Sequence, residues 1–240
     1  MDIIRLEATD STNNWLLCHE SEMKGPSMVY CHNQTAGRGQ RGNSWESEPG
    51  KNITASVIFF PQNFPAFKQF LISEAVALAI VDYLEEKGVI AEVKWPNDIY
   101  VGDKKICGIL VEHFVLGRNV TRSIAGFGIN INQTEFISDA PNPVSLKMIT
   151  SKDYNIETEI ERLAFIMNKY IHDLSPEAPL HDRFLKNLWR GRGIYEFFDR
   201  KNNEKIRGSI CDVAPDGVLT LDTISGQKRR YYFKEVEFII

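Results

Sequence analysis

Residues 35–52 run through Gly, Arg, Asn, Ser and Pro with little apolar content, while apolar runs stand on either side at 27–31 and 53–60. The flanking runs read as strands, so any fold for this chain must carry a long polar excursion between them. A connection of this length without elements of its own is uncommon in a compact domain, and is usually functional or mobile. It contains a literal G-x-G-x-x-G, Gly37-Arg38-Gly39-Gln40-Arg41-Gly42. A dinucleotide fold would open a helix at those glycines and place an acid ~20 positions on. Here Glu46-Ser47-Glu48-Pro49-Gly50 follows, and the region around Gln62 has no acid. A phosphate-binding loop of the Walker kind needs lysine after its last glycine, and Asn43 stands there. What survives is local chemistry. Glycines let backbone N–H groups converge on an anion, and Arg38 and Arg41 add donors. A solvated basic loop is the alternative that this segment alone leaves open.

The remaining chain predicts an α+β protein. Ile3-Ile4-Arg5-Leu6 reads as a first strand, and Asp10-Ser11-Thr12-Asn13 offers cap residues before the apolar run Trp15-Leu16-Leu17. Apolar spacing predicts an amphipathic helix over 67–87, with Gly88 as its stop. Strands follow over 91–95, 99–101, 106–116 and 123–132, with turns at Gly102-Asp103 and Gly117-Arg118-Asn119. Two more helices are expected over 155–173 and 180–189. Strands in hairpins with helices on one side favour a mixed or antiparallel sheet over a doubly wound one. After Gly191 short β-rich runs alternate with Asn202-Asn203, Pro215-Asp216-Gly217 and Ser225-Gly226, which suits a small β-barrel. The expected division is 1–190 and 191–240.

Charge and cysteine usage exclude several classes. The chain has 28 Lys plus Arg and 32 Asp plus Glu, a formal net charge of −4, which argues against nonspecific nucleic-acid binding. Cys18, Cys31, Cys107 and Cys211 form no C-x-x-C, and the five histidines are scattered, so no metal-ligand spacing exists. Reduced thiols, a charged start without an apolar leader, and no run of ~18 apolar residues predict a soluble, cytoplasmic protein with no membrane partner.

Two further clusters stand out. Lys94-Trp95-Pro96-Asn97-Asp98 lies between two strands and is followed by Lys104-Lys105-Ile106-Cys107-Gly108-Ile109-Leu110-Val111-Glu112. Taken alone, Lys105 could be a surface lysine and Pro96-Asn97-Asp98 a turn. Gly126-Phe127-Gly128-Ile129-Asn130 puts an amide late in a buried strand, where Asn130 could be a satisfied core residue. In this order and spacing, together with Asp10 to Asn13, Gln34 to Gly39, Trp45 and the β-rich tail, the clusters resemble those of biotin–protein ligases, also called biotin–[carboxylase] ligases. The resemblance covers nearly the whole chain.

It implies a catalytic domain related to class II aminoacyl-tRNA synthetases and a C-terminal SH3-like domain. It implies that biotin and ATP, with Mg²⁺, give biotinyl-5′-AMP and pyrophosphate, and that the acyl group passes to one lysine of a biotin carboxyl carrier protein. By the same resemblance, Ser11, Thr12, Asn13 and Gln34 would bind the biotin head and the lower wall of its pocket. Arg38, Gly39 and Gln40 would lie in a flexible ligand loop, Lys105 would touch the biotin carboxylate and the α-phosphate, and Gly108 would border the biotin. Trp45, Lys94, Asn97 and Asn130 would belong to the nucleotide side. The chemistry suits these residue types. A carboxylate approaching a charged phosphate needs cations at the meeting point, which Lys105, Arg38 and Mg²⁺ supply. The mixed anhydride needs a closing loop against water. Asp98 is the candidate for helping the acceptor lysine lose its proton.

Two departures carry weight. Many relatives read Gly-Arg-Gly-Arg where this chain has Gln40, a weaker anion ligand. Some relatives carry an N-terminal winged-helix repressor domain, and this chain begins almost at the catalytic motifs. The expectation is a non-regulatory form with no DNA partner, a monomer or weak homodimer. A lipoate or octanoate ligase and a non-catalytic biotin-binding protein are the rivals.

Overall fold

The protein is described by a computed structural model over residues 1–137 and 142–240, with the side chain of Arg41 also outside the described set. Its frame is an eight-stranded sheet in the order β1-β2-β3-β8-β7-β6-β5, with the short β4 on β8. β1 (Asp2–Thr9) leads into α1 (Thr12–Cys18) and then β2 (Ser27–Gln34), which pairs parallel to β1. β3 (Ile53–Phe59) is buried along its whole length and lies between β2 and β8 (Asn119–Ile129), antiparallel to both. β4 (Phe64–Pro65), β5 (Glu92–Lys94), β6 (Asp98–Val101) and β7 (Lys104–Leu116) add antiparallel pairs, so the sheet is mixed, as the sequence predicts.

Side-chain alternation splits β3 between two layers. Ile53, Ala55, Val57 and Phe59 enter the main core with α2 (Phe70–Glu86) and α4 (Ile156–His172). Ile58 faces the other way, in a small cluster with Leu16 of α1, Val29 and Ile124. Helices therefore cover both faces, not one, and α1 covers only part of its face. The uncovered remainder is where the cavity described below opens.

α2 also differs from expectation. It is buried almost all round, Ala75 to Val81 without a break, because the sheet, α4 and α5 (His181–Lys186) surround it. A helix enclosed on all sides loses the polar stripe that an amphipathic assignment requires. α4, at the surface, keeps that stripe, and the Asn155 side chain caps it by accepting from Thr158 N at 3.0 Å. α5 stops short of the expected 180–189, because residues 187–189 pair with β5 instead. Val93 N donates to Asn187 O at 2.7 Å, and Trp189 N donates to Val93 O at 2.9 Å. The short α3 (Leu146–Thr150) was not expected.

The last 50 residues form a five-stranded antiparallel sheet, β12-β11-β10-β9-β13. Its strands are β9 (Tyr195–Asp199), β10 (Glu204–Val213), β11 (Leu219–Thr223), β12 (Lys228–Tyr231) and β13 (Val236–Phe238). Phe197, Val213, Leu219 and Tyr231 belong to the same apolar cluster as Phe70, Phe184 and Trp95, so the two sheets share a core. Trp95 Nε1 donates to Gly217 O at 3.0 Å across that junction. Inside the small sheet the buried Asp199 accepts from Tyr231 at 2.7 Å and Arg229 at 3.0 Å. Burial alone would raise its pKa, but these bonds and those of Asn202 hold it at about 2. Arg229 is thus an internal anchor.

Candidate active site

The exposed part of the α1 face has a floor of glycines. Strand register lines up Thr54, Gly128, Gly108 and Asp98 across β3, β8, β7 and β6, and beside them Ser56, Gly126 and Leu110. Each glycine leaves room that another side chain fills. A Cβ on Gly108 would stand 2.9 Å from Trp45 Cζ3. On Gly128 it would overlap the Trp45 indole, and on Gly126 the Asn13 Oδ1, both well inside the 3.0 Å that real Cβ contacts respect.

The start of α1 forms one wall. Ser11 occupies the N-cap but makes no side-chain cap bond; Asp10 accepts from Ser11 N and from Asn14 Nδ2, each at 2.7 Å. Ser11 is thereby left beside the cavity, and the buried Thr12 and Asn13 line it with their side chains bonded toward the sheet. Gln34 Oε1 accepts from Thr12 N at 3.0 Å. Ser56 Oγ lies 2.6 Å from Thr12 Oγ1 and donates to Asn13 Oδ1 at 2.5 Å. Asn13 Nδ2 donates to Glu112 Oε2 at 2.8 Å.

The glycine-rich loop folds back over this wall. Arg38 bridges to Ser44, and Gly39 N donates to Asn43 O at 2.7 Å. A Cβ on Gly37 would meet Trp45 O at 2.5 Å, so the return depends on glycine there. Arg38 donates to Glu112 Oε1 at 2.9 Å and to Asn14 Oδ1 at 2.7 Å. The second loop arginine, Arg41, lies outside the described side chains. Trp45 spans the glycine floor, and its Nε1 is buried without a partner among the described residues.

Opposite stand the charged groups. Lys105 Nζ pairs with Asp98 Oδ1 at 2.7 Å and lies 5.6 Å from the Trp45 ring centroid. The Asn97 amide bonds to Ile109 O, and Ile109 N donates to Asn97 O at 2.9 Å, which secures the turn that carries Asp98. Lys94 sits among aromatic rings, 4.9 Å from Tyr100, 5.9 Å from Trp189 and 5.7 Å from Phe238. Burial pulls its ammonium below the usual lysine value, and the charge of Asp98 only partly opposes this.

Together these groups enclose one cavity of about 1020 Å³. It gathers the residues singled out from the sequence: Ser11, Thr12, Asn13 and Gln34 at one end, Arg38, Gly39, Gln40 and Trp45 above, and Lys94, Asn97, Asp98, Lys105 and Gly108 along the far side. Asn130 is not on its wall. Its Nδ2 donates to Val144 O at 3.1 Å, while its Oδ1 is buried without a partner among the described residues. The sequence reasoning missed the roles of Ser56 and Glu112, the floor glycines Gly126 and Gly128, and the wall supplied by Phe233, Glu237 and Phe238. Period-two reading of Gly108, Leu110 and Glu112, and of Gly126 and Gly128, would have put the floor on one face. Nothing local marks the C-terminal wall.

A mixed sheet with a glycine-floored, cation-lined cavity on the face that α1 half covers defines the class, and the comparisons with known proteins identify it. The family model of the biotin/lipoate A/B protein ligase family matches residues 5–130. The bifunctional ligase/repressor BirA of Salmonella typhimurium is 33% identical over 225 residues, covering 90% of this chain and 68% of that protein. The Bacillus subtilis protein of the same name is 29% identical over 214 residues, 85% of this chain, and the chain spans 64% of that relative's length. Among solved structures, the biotin protein ligase of Aquifex aeolicus in complex with biotin and ATP superimposes with a TM-score of 0.76 at 22% identity, over 99% of this chain and 98% of that one. The chain belongs to the biotin/lipoate A/B protein ligase family and has the fold of a biotin protein ligase.

Proposed function

We propose that the protein is a biotin–protein ligase that joins biotin to AMP and then transfers it to a lysine of a biotin carboxyl carrier domain. The supporting observation is the Lys105–Asp98 pair, set between amide and hydroxyl side chains of Ser11, Thr12, Asn13 and Gln34 and a wall of Lys94, Tyr100 and Phe238. A ureido head group presents both N–H donors and a carbonyl acceptor. Thr12, Asn13, Ser11 and Gln34 offer hydroxyls and amides that match it, and Gly108 lets the chain of the acid lie against the sheet. The acid's carboxylate would then point at Lys105.

In the first step a carboxylate oxygen bonds to the α-phosphorus of ATP and pyrophosphate leaves. Lys105 and Arg38 offset the charge that gathers there, which contributes most in a site closed to water. Lys94, Asn97 and Trp45 are assigned to the nucleotide side, with Asn130 behind them. Gly39 and Gln40 form the lid. In the second step an amine attacks the acyl carbon, AMP leaves, and the Asp98 carboxylate takes the proton that the amine sheds.

Mg²⁺ would arrive with the nucleotide, because it is usually held by phosphate oxygens and one or two carboxylates, and it would offset phosphate charge. The cavity wall offers two carboxylate side chains, Asp98 and Glu237; among the described residues no cluster of three or more His, Cys, Asp or Glu forms a cage of its own. Residues 1–190 are assigned as the catalytic domain and 191–240 as an SH3-like domain that completes the nucleotide wall. The four cysteines are free, and no helix among the described residues is long and apolar enough to cross a membrane. Free thiols suit the proposed cytoplasmic location, and the protein is proposed to work as a monomer or weak homodimer.

Pyrophosphate exchange into ATP tests the assignment, measured with biotin, lipoate or octanoate as the only acid. Exchange with biotin alone is expected. Exchange only with lipoate or octanoate would transfer the assignment to those acids, and none with any acid would overturn it.

A further inference from the structure

Glu112 carries no task in the chemistry above, yet two parts of the site, the start of α1 and the glycine-rich loop, meet at its carboxylate. It lies on β7 two and four residues beyond Leu110 and Gly108, on the same face. Oε2 accepts from Asn13 at 2.8 Å, and Oε1 accepts from Arg38 at 2.9 Å. An ionised carboxylate can only accept. It therefore turns the Asn13 NH₂ toward itself and the Asn13 carbonyl toward Ser56. Ser56 spends its single proton on Asn13 Oδ1 at 2.5 Å, so across the 2.6 Å contact Thr12 is the donor. Gln34 Oε1 accepts from the backbone N–H of Thr12 at 3.0 Å and stands 3.3 Å from the Thr12 hydroxyl, a longer contact than the one to Ser56. The Leu110 carbonyl accepts from the same Asn13 NH₂ at a longer 3.4 Å. Glu112 is thus the nearer, charged member of the acceptor pair that sets the donor–acceptor sense of Asn13, Ser56 and Thr12, and the same carboxylate holds the loop arginine.

We propose that Glu112 is a positioning residue: it fixes the hydrogen-bond polarity of the acid-binding end and latches the glycine-rich loop over it through Arg38. A preset polarity costs the ligand no reorganisation, and a latched loop stands ready over the bound acid. The Arg38–Glu112 pair is partly exposed, 40% and 31% for the two side chains, so its share in global stability is small and its effect is local.

The inference rests on the biotin reading for its ligand and on the loop alone for its second test. Glu112→Gln is isosteric but presents an NH₂ group to either Asn13 or Arg38. Glu112→Asp keeps the acceptor-only charge and changes the shape. With biotin, E112Q should raise KM in pyrophosphate exchange about tenfold, the size of one lost charge-assisted bond, with a smaller change in kcat. E112D should stay nearer to wild type. A role in packing alone predicts the reverse order, and that order would overturn the proposal. Without any ligand, trypsin should cut the loop at Arg38 several-fold faster in E112Q than in wild type, at an unchanged melting temperature. Equal cutting would also overturn it. Wild type that fails to exchange with biotin would sink the biotin reading while the cutting assay still decides the latch.

Discussion

Gly126 and Gly128 lie two residues apart on the same face of β8, and alanine at each should fail in a different way. Neither has the left-handed backbone that favours glycine, so the added methyl group is a purely steric perturbation. At position 126 it would overlap Asn13 Oδ1, and at 128 the Trp45 indole. Asn13 cannot yield cheaply. It is buried and tied to Ser56 at 2.5 Å and to Glu112 at 2.8 Å. Moving it by about an ångström breaks one neutral bond, worth about 1 kcal/mol, and one charge-assisted bond, worth about 1.5–3 kcal/mol. Gly126→Ala should therefore cost about 2.5–4 kcal/mol in urea unfolding and abolish measurable biotin binding by calorimetry. Trp45 sits on a loop and its Nε1 has no bond to lose among the described residues. Gly128→Ala should push the indole off the floor at a stability cost below about 1 kcal/mol, within the range of substitutions that disturb no fixed contact. Its damage should appear in adenylation. Equal stability losses in the two variants would refute the distinction between a fixed wall and a movable roof.

Three other outcomes are expected. Lys105→Ala should slow biotin-dependent pyrophosphate release on the order of 10²-fold or more with little change in melting temperature; near-normal release would exclude its bridging role. Gln40→Arg should slow escape of biotinyl-adenylate several-fold in a dissociation assay, because a guanidinium retains phosphate better than an amide; equal or faster escape would refute this. Burial lowers the His113 pKa to about 4, so its ring stays neutral in the fold while the unfolded chain gains a proton near pH 6.5. Its contribution is complete above that value and fades as pH falls toward 4, by about 2 kcal/mol after allowance for partial exposure. His113→Gln should lose less stability than wild type between pH 7 and pH 5 in parallel urea titrations, and identical slopes would contradict the shift.

How far these features could be read beforehand depends on how local their causes are. The α4 stripe and the hairpin from β7 to β8 declare themselves through periodicity and turn residues. The enclosure of α2 does not, since it follows from packing by distant elements. Loss of the last turn of the 180–189 helix comes from a competing pairing with Val93. The site divides in the same way. Residues in recognisable clusters, from Ser11 to Lys105, converge as expected. Ser56 and Glu112 matter through strand register, and Phe238 through the contact of two sheets, neither of which leaves a mark in nearby sequence. Asn130 shows the converse, a residue chosen by its cluster that stands behind the cavity wall.

Trp45 also gives the protein an internal optical gauge. Its indole spans the two glycines that an acid would lie against, while Trp95 and Trp189 have their N–H groups bonded at 3.0 Å and 2.8 Å to the carbonyls of Gly217 and Gly102. Trp15, away from the floor, is stacked on His19 with ring centroids 4.0 Å apart. Anything that settles on the floor must share that strip with the indole or displace it, altering how dry its surroundings are and whether its N–H finds an acceptor. Emission colour and quenching by iodide should then follow occupancy, which allows the empty and filled states to be timed against one another without a label.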